Sequence, residues 1–178
     1  EQKTSDFIRE QLLSAGLPDA DCVDDAANER IGSGACGNLI VNLPGRGTLQ
    51  HEARVLLSAH MDTVPLCKGC RVQLDPARRM IHSDGTTALG ADNRTGCASI
   101  LYAAIQLLDS AEGYRPATLV FFVQEEIGLR GSRTVDVSLL RSPQFGVNID
   151  GGATERMFVS GIGAADWRVT VRGIPAHA

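Results

Sequence analysis

Three apolar runs in this chain, RVLLSAHMD (54–62), ATLVFFVQ (117–124) and FGVNID (145–150), pass at their ends straight into acids or a histidine. A run without polar alternation is a strand buried on both faces, the mark of a largely parallel sheet covered by helices. Between the first two runs, Cys97, Ile100, Leu101, Ala104, Ile105 and Leu108 recur at i, i+3, i+4 and i+7, so a helix packs its apolar face there. GLRGSRTV and VSLL add short helical pieces before the third run. Strands separated by helices define an α/β class, and an open α/β sheet presents its chemistry outside the carboxyl ends of its strands. The ends of these runs therefore decide what the chain can do.

Other segments fit around this frame. NLIVNL (38–43) reads as a further strand closed by Pro44-Gly45, and CRVQLD with RMIHSDG reads as a hairpin around Pro76. Phe7, Ile8, Leu12 and Leu13 form a helical stripe after Thr4 or Ser5 as cap and before Gly16 as stop. The small residues of SGIGAAD (160–166) precede the alternating DWRVTVRG, which suits a sheet with one wet face. A boundary is expected there, with residues 1–163 in one domain and 164–178 opening another. The chain starts inside a helix and stops at IPAHA without turn or cap, so flanking segments are expected on both sides.

With 43% hydrophobic residues among 178, the chain can bury one sizeable core. A net charge of -4 with few aromatics offers no footprint for nucleic acid. No run is long enough for a bilayer helix and no signal peptide is evident, so a cytoplasmic setting without membrane contact is expected. Five irregularly spaced cysteines do not resemble a disulfide scaffold. Cys67 and Cys70 form a CxxC, which suits a redox pair or half a zinc site, but no second pair lies nearby, and reduced thiols fit better.

The strand ends carry the chemistry. His60 and Asp62 lie two apart on extended chain and share a face, so one can bind a metal while the other fixes its ring. The plainer reading is a turn histidine beside a solvated acid. Asp92 precedes the amphipathic helix, where it would serve as N-cap or, through two oxygens, as a bridge between cations. Glu125 and Glu126 leave the second run together; one could hold a cation while the other acts as general base, or both could be exposed acids at a helix start. Asp150 before Gly151-Gly152 is a ligand or a turn residue. Each signal is weak alone, but their recurrence at successive strand exits suggests a two-metal hydrolase, whose mixture of oxygens and one nitrogen suits zinc, manganese or cobalt.

The segments LLSAHMDTVP, GTTALGADNRTG, FVQEEIGLRGS, NIDGG and VRGIPAHA, in this order, resemble the di-zinc metallopeptidases that include peptidase T, the glutamate carboxypeptidases, aminoacylase and succinyl-diaminopimelate desuccinylase. The wording GTTALGAD is most similar to the peptidase T branch, which acts on short peptides with a free amino terminus. The resemblance implies a three-layer zinc-exopeptidase fold, with a mixed sheet between helices and the first strand of a smaller lid and dimerisation domain. It implies two zinc ions: His60 and Asp150 on one, Asp92 bridging, and Glu126 on the other. Asp62 would orient His60 and Glu125 would be the general base. His177 matches a lid histidine that stabilises the tetrahedral intermediate, whereas His51 and His82 match nothing and are expected exposed. The expected substrate is a short peptide or an acyl-amino acid, and a homodimer through the lid is implied. In the family a second segment beyond the lid supplies the last histidine ligand; these residues alone would then hold metal weakly and turn over little.

Overall fold

The computed structural model describes residues 1–152, 155–160, 163, 169, 170, 172 and 173. Half of the alternating segment 166–173, most of the expected boundary at 160–166 and His177 lie outside the described residues. Strands β1 (Cys22–Asp24), β2 (Leu39–Leu43), β3 (Val55–His60), β4 (Val72–Asp75), β5 (Met80–Ser83), β6 (Ala117–Phe122) and β7 (Phe145–Asn148) accompany helices α1 (Gln2–Ser14), α2 (Ala27–Ile31), α3 (Ala91–Asp109) and α4 (Arg130–Arg133). Five strands form one sheet in the order β1-β2-β6-β3-β7, and β4 with β5 forms the separate hairpin. β3 is parallel to β6 and to β7, while β2 is antiparallel to both β6 and β1. Four of the five strands therefore point the same way and only β2 opposes them.

The core follows the alternation of side chains along these strands. Leu39, Val41 and Leu43 of β2, Leu119 and Phe121 of β6 and Ala59 of β3 join Ile8 and Leu12 of α1 and Cys97, Ile100, Leu101 and Ala104 of α3 in one buried cluster. The opposite face buries Ile40, Ser58, Thr118 and Val120. A 3-10 turn at Val137–Leu140 covers it, where the Thr118 hydroxyl donates to the Leu140 carbonyl at 2.8 Å. The sheet thus lies between layers, as expected, with β6 at its centre and apolar on both faces.

Three details depart from the pattern read in the sequence. Helix α1 begins at Gln2, ahead of Thr4 and Ser5, because the amides of both residues already donate to the Glu1 carbonyl. β7 is not buried on both faces: Phe145 is 53% exposed, since among the described residues the strand is the sheet edge and pairs with β3 alone. β1 has only three residues between turn-rich segments, too few for a period to register. His51 and His82 are exposed, as expected. No helix among the described residues is long and apolar enough to cross a membrane.

The turn after β6 is held by a polar residue inside the core. Asn38, fully buried, donates through Nδ2 to Asp25 Oδ2 and to the Gly131 carbonyl, and its Oδ1 accepts the Val123 amide. Gly131 packs so closely that a Cβ there would sit 2.2 Å from the Val123 carbonyl oxygen. Replacing Asn38 with Ala leaves the buried Val123 amide without a partner and takes one donor each from Asp25 and the Gly131 carbonyl, so stability should fall by about 2 kcal/mol. Urea unfolding should show a lower midpoint with an unchanged slope.

Candidate metal centre

β3, β6 and β7 run parallel in adjacent positions, so their carboxyl ends open on one side of the sheet. His60 is the last residue of β3, and its side chain is 3% exposed. Its Nδ1 lies 3.2 Å from the Asp62 carbonyl oxygen and 3.3 Å from Asp62 Oδ1, so a proton on that nitrogen has acceptors. Nε2 is thereby turned outward, 3.2 Å from Asp92 Oδ1 and 3.8 Å from both Glu125 Oε2 and Asp150 Oδ1. Two groups of potential ligand atoms lie within 4.8 Å of one another: His60 with Asp92 and Asp150, and His60 with Glu125 and Glu126. All six residues singled out at the strand exits thus meet at one place. His177 is outside the described residues.

The local backbone explains each position. Asp92 does not cap α3: Asp92 and Asn93 have non-helical dihedrals that interrupt the helix and turn the carboxylate toward His60, and the side chain that accepts a first-turn amide beyond the break is that of Asn93. Asn93 is buried and donates from Nδ2 to the Ile149 carbonyl at 2.7 Å, while its Oδ1 accepts the Gly96 amide. Gly96 must lack a side chain here, since a Cβ would lie 2.3 Å from Asn93 Oδ1 and 2.5 Å from the Ile149 carbonyl. The Asp62 carboxylate accepts the amides of Glu125 and Glu126 at 3.0 and 3.1 Å, so one acid fixes both the histidine and the turn carrying the glutamates. Asp150 Oδ1 also accepts the Gly151 amide at 2.7 Å. Asn93, Asn38 and the double amide contact of Asp62 were not apparent in the sequence. The one available signal was an Asn directly after an acid at a helix start.

The carboxylates around His60 set the electrostatics of the site. Burial pulls the His60 pKa down, but the hydrogen bond and charge of Asp62, with the charges of Asp150 and Glu125, outweigh it and raise the pKa to about 9. Burial also opposes ionisation of Asp62, yet hydrogen bonds from His60 and the two amides carry its pKa below the usual value. Glu125 moves the other way: burial and the neighbouring acids Asp150, Glu126 and Asp62 raise its pKa against the pull of His60. One imidazole nitrogen among several carboxylate oxygens suits borderline divalent ions. Beside the site a groove of about 430 Å³, lined by Asp62, Thr63, Pro65, Arg94, Gln124 and Glu126, leads to solvent.

Residues 38–168 match Peptidase family M28. YqjE of Bacillus subtilis (strain 168) is 32% identical over 161 residues, which are 89% of this chain and 41% of that protein. Peptidase T of the same organism is 30% identical over 155 residues, 86% of this chain and 36% of that protein. A tripeptidase from Staphylococcus aureus subsp. aureus Mu50 superposes with a TM-score of 0.71 at 29% identity, over 83% of this chain and 37% of that one. The chain thus spans well under half the length of these relatives.

A cation must displace the proton from His60 to bind its ring, because only the neutral imidazole ligates. With a proton affinity near pH 9, the apparent affinity for Mn²⁺ should rise by about ten-fold per pH unit across neutral pH and level off above pH 9. Calorimetric titration at a series of pH values checks this. Asp62→Asn should move the levelling to lower pH, because it removes the main group that raises the His60 pKa.

Proposed function

This chain belongs to peptidase family M28, and we propose that it carries the metal-binding and acid–base groups of an exopeptidase that removes the N-terminal residue of short peptides, tripeptides foremost. The observation that carries the reading is the ring of acids around His60 Nε2, with Asp92, Glu125 and Asp150 within 3.8 Å of a single nitrogen. The likeness to a tripeptidase and to Peptidase T supports the choice of substrate.

In this reading His60 and Asp150 would hold one zinc ion and Glu126 a second, with Asp92 shared between the two and manganese or cobalt as alternatives. Bound cations supply Lewis acidity, polarising the scissile carbonyl and acidifying water. Glu125 takes a proton from the attacking water and delivers it to the departing amine nitrogen. Its pKa, raised by burial and by neighbouring acids, lets the carboxylate accept that proton without holding it as a strong base would. Asp62 keeps the Nδ1 side of His60 occupied and Nε2 directed into the site. His177, in a lid domain beginning near residue 164, stabilises the developing oxyanion, and the same lid forms a dimer; these two assignments rest on the family resemblance.

Glu125→Ala in the full-length enzyme should lower kcat by about 10²–10⁴-fold while metal content is unchanged. Turnover and elemental analysis of the same preparations check it, and turnover at the native rate would remove Glu125 as the base. Chelation should abolish activity and Zn²⁺ should restore it. A tripeptide with a free amino terminus should be cleaved and its N-acetyl form left intact. Cleavage of the acetylated form alone would make the enzyme a deacylase.

A further inference from the structure

The CxxC has no part in the site described above. Cys67 ends a 3-10 turn (Pro65–Cys67), and the Cys70 amide donates to the Cys67 carbonyl at 3.1 Å. Lys68 lies at φ -62° and ψ 124°, and Gly69 at φ +79°, so residues 67–70 form a type II β-turn whose third position needs the positive φ that glycine supplies. Such a turn brings its first and last α-carbons within about 7 Å. A disulfide spans α-carbons about 4.4–6.8 Å apart, a range that a β-turn permits between its first and last residues.

The five thiols divide into two classes. Cys22, Cys36 and Cys97 are buried, and burial pushes their pKa values up to about 11, 11 and 12. Cys67 and Cys70 are only half-buried and border a cavity of about 440 Å³ shared with Thr63, Pro65, Leu89 and Arg94, wide enough to admit a small thiol reagent. No third metal-ligating side chain joins this pair among the described residues, which removes a closed zinc site.

We propose that Cys67 and Cys70 are a modification site, a dithiol that closes to an intramolecular disulfide on reaction with a low-molecular-weight disulfide. One thiolate attacks the reagent, whose S–S bond breaks to give a mixed disulfide and one free thiol. The second protein thiolate then displaces the other half. The protein loses two electrons and two protons, and one reagent disulfide becomes two thiols. The position gives the closure a mechanical target. Cys67 Sγ lies against Gly90, where a Cβ would be 3.4 Å away, and the Ala88 amide donates to the Leu66 carbonyl at 3.1 Å. The turn therefore braces the segment that leads into Asp92.

The test is equilibration of the full-length native protein with glutathione disulfide, alkylation without reduction, trypsin digestion and mass mapping. Trypsin cuts after Lys68, so the expected product is two peptides joined by one Cys67–Cys70 bridge, with Cys22, Cys36 and Cys97 recovered alkylated. Cys70→Ser should stop at a glutathione adduct on Cys67. Gly69→Val, which disfavours the turn, should lower the yield of the bridge several-fold. Recovery of Cys67 and Cys70 as separate adducts or free thiols, under a poise that oxidises the CxxC of thioredoxin, would overturn the proposal, as would an undiminished bridge in Gly69→Val.

Discussion

Negative charge crowded around one imidazole is the constraint on which this structure turns. Asp62, Asp92, Glu125 and Asp150 all approach His60 within 3.8 Å, and Glu126 stands beside them. At a separation of about 4 Å, like charges near a protein surface repel by about 4 kcal/mol. Positive charge has to answer this, and the raised proton affinity of His60 is the same demand expressed by the protein itself. A proton and a divalent cation compete for one seat. The surrounding fold exists to keep that seat from relaxing: parallel strands bring the exits together, and amide donors on Asp62 stop the glutamate turn from swinging away.

Much of this was legible in the chain, because each legible part had a local physical cause. β6 sits at the sheet centre, so both its faces are apolar and ATLVFF reads as an uninterrupted run. α3 packs one stripe on the sheet and so shows the helical period. The ligand candidates stood out because charge rarely follows a buried strand without a reason. What stayed hidden depended on long-range contacts. Asn38 looks like an ordinary polar residue before a strand, and its partners Asp25, Val123 and Gly131 are distant in sequence. The edge position of β7 could not be read from FGVN, since a strand's exposure depends on which neighbours it finds.

Asp92 shows how a single residue type can support two readings that only geometry separates. An acid at a helix start is ordinarily a cap, stabilised by free amides and by the helix dipole. Here the helix breaks at Asp92 and Asn93, Asn93 Oδ1 takes the Gly96 amide, and the acid is freed to face the histidine. The following asparagine does the anchoring, which the dipeptide Asp-Asn alone does not reveal. Sequence could suggest both uses of the carboxylate, but the choice rests on the backbone path through residues 90–93.

The bond from Asn93 to the carbonyl of Ile149 has a wider implication. It ties the residue after Asp92 to the residue before Asp150, across a gap of 56 positions in sequence. Those two carboxylates are therefore mounted on one bracket. A displacement of the helix start or of the sheet edge is passed from one to the other through that bond, which couples the spacing of the two acids to both elements.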